Sequence, residues 1–316
     1  MCLVKRDTLT GLHLQLRYSG RVSRVGVFLV FLWVLVWGAL SLAGQVAPAP
    51  SWQVRPEPET LVNGAPAILR VIPSIDLRNL SGSWLGHDLH LRFDSASRSW
   101  YGFFGVDITT AAGSYPLKLR GETAAGSPVI YEGSLQVSTA AYPTVTLTVQ
   151  RKFVVPNKRQ AQRVKKEEAI KHRAFARSSD QQLWSQPFMV PVNTAVSEVF
   201  GVNRVFNGKL QTRHLGLDFH ASPGTPIVAA NSGTVLLARR LYFEGRCVVV
   251  DHGQGLMTLY MHFSRLKVKE GQRVSRGQVL GLSGATGRVT GPHFHWSLRW
   301  EGTYLDPGKL ASLNLP

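Results

Sequence analysis

The stretch Arg213-His-Leu-Gly-Leu-Asp-Phe219 places a histidine and an aspartate four residues apart, and Gly291-Pro-His-Phe-His-Trp296 places two more histidines two residues apart. The His214/Asp218 pair and the later His-x-His pair can close around one metal ion. Two imidazoles and one carboxylate form a typical catalytic zinc shell, in which the fourth position stays open for water. A structural zinc site usually fills that position with another protein ligand, often cysteine. The pattern therefore predicts a catalytic metal centre.

Strand periodicity favours a common direction for the paired histidines. Side chains at positions i and i+2 of a strand point to the same face. If residues 292–298 form a strand, His293 and His295 project together, and Phe294 and Trp296 line the opposite, buried face.

The same alternation adds a third histidine to the candidate cleft. In Thr258-Leu-Tyr-Met-His262 it predicts that Tyr260 and His262 lie on one side, which makes His262 a candidate to face the metal. A single histidine is more often a hydrogen-bonded structural residue than a ligand. We interpret His252 as part of a turn and His220 as a residue at the rim of the cleft.

Both large regions of the chain are predicted to be mostly β. Residues 187–316 contain short strands punctuated by glycines that suit tight turns. Residues 45–150 contain short alternating stretches bounded by Gly, Pro, Ser and Asn, which predict a small β-sandwich-like domain. This second region has no catalytic constellation, so we expect it to be an accessory module.

A strongly basic segment, 151–186, separates the two β-rich regions. Between Arg151 and Arg177 ten Lys or Arg residues face only two acidic ones, Glu167 and Glu168. An irregular apolar stripe predicts a helix. Most such runs are solvated linkers, which is our default interpretation; adhesion to an anionic envelope polymer or to lipid headgroups is the alternative.

The N-terminal segment, 1–44, predicts export. Basic residues precede an uncharged apolar run from Val25 to Ala43, which is long enough to span a bilayer. The positive flank predicts a cytoplasmic N-terminus with the rest of the chain outside. A cleaved signal peptide and a retained membrane anchor fit equally well. Cys2 precedes the apolar run and leaves Cys247 as the one exported thiol, which we interpret as a small core residue.

The charge balance indicates an anionic partner. The chain has 36 Lys and Arg against 19 Asp and Glu, a formal net charge of +17. Such an excess attracts polyanions or anionic surfaces. Because the chain is predicted to be exported, we expect electrostatic contact with an anionic cell envelope and no nucleic acid.

The C-terminal region, about Pro187 to Pro307, resembles the lysostaphin-type, or LytM-like, zinc metallopeptidases. The matching motifs are Phe200-Gly201, His214-Leu-Gly-Leu-Asp218, Gly224-Thr-Pro226, Ala229-Ala-Asn-Ser-Gly233, Asp251-His-Gly253, Tyr260-Met-His262, Gly271-Gln272, Gly277-Gln278, Thr286-Gly287, Gly291-Pro-His-Phe-His295 and Asp306-Pro307. The family usually has Leu between the last two histidines, where this chain has Phe294. That side chain should point away from the metal, so we expect no loss of activity.

The resemblance implies a role for each site residue. His214, Asp218 and His295 would bind one Zn²⁺, and His262 and His293 would be the catalytic histidines. Zinc lowers the pKa of bound water towards about 7 and polarises a carbonyl. A histidine, with an unperturbed pKa of about 6.5, can transfer the water proton, and a second can donate a hydrogen bond to the oxyanion. Which of the two acts as the base is left open.

The resemblance implies a zinc metalloendopeptidase that acts on the peptide cross-links of peptidoglycan. Two alternatives are a non-catalytic LytM-like regulator that activates a cell-wall amidase, and a zinc peptidase acting on proteins. Such regulators have typically lost metal ligands, and this chain keeps all of them. The bond cleaved, the role of the N-terminal β-domain and the oligomeric state are left open.

Overall fold

The first nine strands of the protein build two sheets, and the tenth pairs elsewhere. The computed structural model describes residues 50–208 and 210–315. These strands are β1 (Trp52–Glu57), β2 (Leu61–Val62), β3 (Pro66–Pro73), β4 (Leu77–Trp84), β5 (His87–His90), β6 (Arg92–Asp94), β7 (Ser99–Gly105), β8 (Gly113–Thr123), β9 (Pro128–Ser138) and β10 (Thr144–Leu147).

The two sheets share one apolar core. One has the strand order β1-β3-β7-β6 and the other the order β2-β9-β8-β4-β5. Strand β7 is buried along its whole length, whereas β8 alternates between covered and exposed residues. The rings of Trp84 and Phe104 meet edge to face across the two sheets, with centroids 5.2 Å apart. Aromatic pairs with this geometry contribute beyond their buried area.

The basic segment contains a helix. A short 3₁₀ helix at Arg151–Phe153 is followed by α1 (Lys158–Phe175). Asn157 caps α1 by accepting a hydrogen bond from the backbone N–H of Gln160, whose side chain bonds back to the N-cap, so this capping box sets the start of the helix. The last turn buries Ala174 against the C-terminal β-structure. The helix is therefore packed on the protein along one side and solvated on the other.

The C-terminal region is built from thirteen short strands and one helix. They are β11 (Val196–Glu198), β12 (Asn203–Phe206), β13 (Leu210–Arg213), β14 (Leu217–Phe219), β15 (Pro226–Val228), β16 (Gly233–Leu241), β17 (Gly245–Gly253), β18 (Leu256–Phe263), β19 (Arg265–Leu266), β20 (Arg273–Val274), β21 (Val279–Leu282), β22 (Phe294–Trp300), β23 (Thr303–Leu305) and α2 (Pro307–Ser312).

One large sheet carries most of the candidate site. Its order is β11-β14-β22-β18-β17-β16-β20, with β23 paired to β22. Strands β18 and β22 pair antiparallel along their length, and β14 pairs with the other side of β22. Phe294 and Trp296 are fully buried, as strand alternation predicted. The mostly β fold expected from the sequence is confirmed.

The residues from Pro50 onwards form one compact unit. Strand β10 pairs in parallel with β12, and the β12–β13 hairpin completes this three-stranded sheet. Among the described residues, no helix is both long and apolar enough to cross a membrane. The predicted export segment, 1–44, lies outside the described residues.

Candidate active site

Three candidate ligands meet in a buried cluster. Asp218 in β14 and His295 in β22 are direct cross-strand partners, and His214 approaches from the segment before β14. Asp218 Oδ1 lies 2.6 Å from His295 Nδ1 and 3.1 Å from His214 Nε2. The two ring nitrogens are 3.1 Å apart. The three residues are buried, and their donor atoms lie within 4.8 Å of one another. The structure thus brings together the three residues that the family resemblance implied as metal ligands.

The remaining atoms of the two imidazoles fix the orientation of the rings. His214 Nδ1 donates to the carbonyl oxygen of Val199 at 2.8 Å, which leaves Nε2 as a lone-pair donor. His295 Nε2 lies 2.7 Å from Ser297 Oγ, which leaves Nδ1 to face Asp218. Such partners on the far nitrogen are the usual support of metal-binding histidines. The donor set therefore fits a zinc ion.

The ionisation states also suit a metal. Burial is the main reason that the pKa of His295 falls to about 4, so its ring is neutral near pH 7. Burial by itself raises the pKa of Asp218, but the neighbouring His295 and His214 outweigh it and hold that pKa far below the usual range. A neutral imidazole and an ionised carboxylate are the protonation states in which such ligands bind a divalent cation.

Gly216 is required by close packing beneath the ligands. A Cβ added there would lie 2.4 Å from the carbonyl oxygen of Trp296 and 2.6 Å from His295 Nε2. Any side chain at this position would push β22 away from His214. The glycine between the first two ligands therefore allows the close approach of the third.

His262 and His293 face each other above the ligand cluster. Their ring centroids are 4.8 Å apart, and the His262 ring lies 6.0 Å from that of His295. His293 Nε2 lies 3.8 Å from Asp218 Oδ1. His262 Nδ1 donates to the carbonyl oxygen of Thr286 at 2.8 Å, and His293 Nδ1 donates to that of Gly291 at 2.9 Å. Each ring thus has its Nε2 left for substrate.

His262 reaches this position through an unusual backbone conformation. Met261 is the cross-strand partner of His295, and partners in an antiparallel pair share a face, so regular alternation would turn His262 away. Its φ is +68°, in the left-handed region that non-glycine residues rarely adopt. Tyr260 instead packs against Phe294, with centroids 6.2 Å apart, on the other face. The prediction that Tyr260 and His262 share a face was wrong.

Two hydrogen bonds, one to Thr286 and one to the turn between β16 and β17, hold His262 in place. Besides its bond to Thr286, its backbone N–H donates to the carbonyl oxygen of Glu244 at 3.0 Å. The Glu244 carboxylate accepts from Lys171 Nζ of α1 at 2.6 Å, and both side chains are largely buried. Glu167 of α1 accepts from the backbone N–H of Tyr242 at 2.6 Å. Helix α1 therefore supports the turn that supports His262.

Burial and like charges affect the titration of His262. Burial is the main cause that holds its pKa well below the ordinary value, and the neighbouring His293 lowers it further. The ring is consequently neutral near pH 7, with Nδ1 protonated and Nε2 available to accept a proton.

Arg204 is a functional residue that the sequence did not reveal. Its guanidinium donates to Asp218 Oδ2 at 2.5 Å and also to Glu198. Because Oδ2 is held by Arg204, Oδ1 is left for the metal. The signal in the sequence was too weak to find, since an isolated arginine in a short strand is an ordinary surface residue.

The other histidines lie elsewhere. His252 belongs to β17 and is fully buried, so its interpretation as a turn residue was wrong. Its ring bonds to the carbonyl oxygen of Ser232 and to Thr258 Oγ1. His220 is exposed, and Cys247 is a free, buried thiol.

Comparison with known proteins shows which family and which relatives the C-terminal region resembles. The family model described as Peptidase family M23 matches residues 212–307. Peptidoglycan DD-endopeptidase ShyA of Vibrio cholerae is 46% identical over 103 residues, which is 33% of this chain and 23% of that protein. DD-carboxypeptidase/endopeptidase Mpg of Neisseria meningitidis is 39% identical over 98 residues, 31% of this chain and 23% of that protein. The chain thus spans about a quarter of the length of these curated relatives.

A solved structure extends the similarity to both β-rich regions. The crystal structure of a putative peptidase M23 from Pseudomonas aeruginosa has 30% sequence identity and a TM-score of 0.59, and the alignment covers 79% of this chain and 94% of that one.

Proposed function

The chain belongs to peptidase family M23, and we propose that it is a zinc-dependent endopeptidase that hydrolyses peptide cross-links of peptidoglycan. The observation that carries this proposal is the convergence of two imidazole nitrogens and one carboxylate oxygen beneath a second pair of histidines. A purely structural metal site does not require the second pair of histidines, His262 and His293, beside its ligands.

The ligand set of the proposed enzyme is His214, Asp218 and His295. A zinc ion held there supplies Lewis acidity, which polarises a carbonyl and lowers the pKa of water. Burial keeps the His295 ring neutral, and Val199 and Ser297 orient the two ligand rings. Arg204 orients the carboxylate through Oδ2.

His262 is the proton acceptor in this proposal. Its Nδ1–H is tied to the Thr286 carbonyl oxygen, so Nε2 carries the lone pair that faces the cleft. The ring takes a proton from the attacking water and returns it to the leaving amine. Proton transfer by a positioned histidine contributes about 10²- to 10⁴-fold to rate.

His293 is assigned to the oxyanion. It lies at the mouth of the cluster, with 17% of its side chain exposed, and its Nε2 approaches Asp218. When protonated there, Nε2 donates a hydrogen bond to the oxygen that gains negative charge. Donors aimed at such an oxygen are among the largest contributions to catalysis.

The names of the relatives support the proposed substrate, and the predicted export segment and the charge support the proposed location. The similar proteins named above are a peptidoglycan DD-endopeptidase and a DD-carboxypeptidase/endopeptidase. The predicted export segment would deliver the enzyme to the compartment that holds this polymer, and the charge of +17 suits an anionic wall. We therefore propose that the protein works in the cell envelope, as a secreted or membrane-anchored enzyme.

The test is zinc content together with the release of muropeptides from purified sacculi by the full-length protein. We expect one bound zinc per chain and chelator-sensitive release. His214→Ala should lose both zinc and release. His262→Asn should keep the zinc and lose about 10²-fold or more in turnover; asparagine is chosen because it tolerates a positive φ.

The control is His220→Gln, which alters an exposed histidine outside the cluster and should change neither readout. Normal digestion of sacculi by His262→Asn would refute the assignment of His262. A zinc-loaded protein that releases nothing yet stimulates a cell-wall amidase would establish the regulator instead.

A further inference from the structure

A basic cavity of about 710 Å³ lies beside the candidate active site. It opens where the start of α1 meets the end of β16 and the loop that precedes His293. Among the described residues, four cationic side chains and no carboxylate line it; the four are Lys152, Arg159, Arg163 and Arg240.

The start of α1 adds to this positive potential. The first turn of a helix carries a partial positive charge, and acidic residues there are stabilising. The first turn of α1 has no acidic residue and instead begins Lys158-Arg159. This arrangement lowers the stability of the helix unless an anion compensates for it. Local rules of this kind are broken most often at functional sites.

Three of the four cations have no acidic partner within the described part of the chain; one of them, Lys152, lies over the ring of Phe153. Arg163 is paired with Glu167 at 2.7 Å and lies over the ring of Tyr242. Arg159 and Arg240, by contrast, form no ion pair with any described residue, and both are exposed on the cavity wall. They are therefore available to an incoming anion.

The cavity shares a wall with the reacting groups. Thr286 lines it, and the carbonyl oxygen of the same residue accepts the Nδ1–H of His262 at 2.8 Å. An extended peptide advances about 3.3 Å per residue. A substrate whose scissile bond lies at His262 therefore has residues a few positions away at the edge of this cavity.

We propose that the cavity binds a carboxylate of the acidic stem peptide, with Arg159 and Arg240 as its main contacts, and so selects substrates that carry a free carboxyl near the scissile bond. Guanidinium groups bind carboxylates through paired, charge-assisted hydrogen bonds. This subsite rests on the proposed endopeptidase function, and it gives the basic segment a role in specificity.

The experiment compares two substrates on the full-length, zinc-loaded protein. One is a soluble cross-linked muropeptide dimer with free carboxyl groups, and the other is the same dimer with those groups amidated. For the variant Arg159→Gln/Arg240→Gln, the ratio of kcat/KM for the acidic over the amidated dimer should fall about fivefold, which is about 1 kcal/mol for the two exposed arginines together. The loss should appear in KM and shrink at high salt.

The matched control is Lys165→Gln/Lys166→Gln, which removes the same charge from exposed positions of α1 away from the cavity. It should leave the ratio unchanged. An equal fall in both variants, or an equal loss for both dimers, would refute the subsite and leave a non-specific effect of charge. If the arginine variant hydrolysed both dimers as the wild type does but adsorbed more weakly to a phosphate-rich wall polymer, the subsite would be refuted in favour of polymer adhesion.

A binding readout separates this proposal from the proposed function. The anisotropy of a labelled monomeric stem peptide with free carboxyls reports occupancy without cleavage. Weaker binding in the arginine variant, but not in the lysine control, would support the subsite even if no dimer were cleaved. Equal binding to all three proteins would overturn it even if the protein were an active endopeptidase.

Discussion

His252 is a fully buried titratable residue that makes no contact with the candidate metal ligands. Burial lowers its pKa to about 4, while its ring bonds to the Ser232 carbonyl oxygen and to Thr258. The unfolded chain binds a proton at about pH 6.5, so between these two values the unfolded state holds more protons than the folded one. The contribution of His252 to the unfolding free energy is therefore fully present above about pH 6.5 and is lost as the pH drops towards about 4.

We expect His252→Gln to flatten this pH dependence. Titration of His252 should lower the unfolding free energy of the wild type by about 3 kcal/mol between pH 6.5 and pH 4, because one unit of pKa shift corresponds to about 1.4 kcal/mol. Urea unfolding at pH 7, 5.5 and 4.5 measures the slope. The exposed His220→Gln variant should retain the wild-type slope. A His252→Gln variant as acid-sensitive as the wild type would show that other buried groups, such as His295, govern the loss.

Individual site residues could be predicted where short-range geometry decides their position. His295 follows from strand alternation relative to Phe294 and Trp296. His262 was chosen by the same rule but reaches the cleft through a positive φ, which no spacing in the sequence encodes. Arg204 was missed because its partner Asp218 is on a strand that does not adjoin its own.

Helix α1 connects the basic segment to the catalytic chemistry. Lys171 forms an ion pair with Glu244 at 2.6 Å and a second one with Glu168 at 2.8 Å. The backbone carbonyl oxygen of Glu244 accepts a hydrogen bond from the backbone N–H of His262. The left-handed conformation of His262 costs about 1–3 kcal/mol and persists only when its surroundings enforce it. Lys171 is thus a positioning residue two contacts away from the reacting groups.

We expect Lys171→Met to lower both stability and turnover. Removing one partner of a largely buried ion pair costs about 3–5 kcal/mol, because the other charge is left uncompensated. Urea unfolding should show that loss, and kcat should fall at temperatures where the variant is fully folded, with zinc content unchanged. The double variant Lys171→Met/Glu244→Gln should recover part of both, since no buried charge is left unpaired and Glu168, the other partner, is exposed.

The exposed Lys166→Met substitution, five residues earlier on the same helix, is the matched control and should behave as wild type. A Lys171→Met protein that is destabilised but has normal kcat when folded would limit α1 to a structural role.

The sequence indicated the existence of α1 but not what it contacts. Ten cations in a short segment are typical of a solvated surface, and the interactions of Lys171 and Glu167 depend on the β16–β17 turn about 75 residues further along the chain. Local pattern determines a helix, whereas its docking depends on tertiary partners that only the folded chain brings together. The pairing of β10 with β12 was unpredictable for the same reason.

The two β-rich regions are packed as one body. The backbone N–H of Asp306 donates to the carbonyl oxygen of Gly64 at 2.8 Å, and the ring of Trp300 lies 5.9 Å from that of Phe103. Tyr142 packs against Phe200, and the guanidinium of Arg213, next to the ligand His214, lies over the Tyr142 ring. Apolar residues of both regions belong to one continuous core. The region without catalytic residues is therefore part of the structure that holds the metal ligands.

Gly105→Ala tests this coupling at a position far from the reacting groups. A Cβ at residue 105 would lie 2.2 Å from Cδ1 of Leu305, which is fully buried in the C-terminal region. Such overpacking costs about 1–3 kcal/mol. Because the two regions share a core, we expect a single calorimetric transition in the wild type and one uniformly lowered Tm in the variant.

Gly113→Ala, whose nearest new contact is Tyr115 at 3.7 Å, should leave the Tm nearly unchanged. Two separate transitions, with only the earlier one shifted by Gly105→Ala, would mean that the N-terminal sheets unfold independently and do not support the catalytic region.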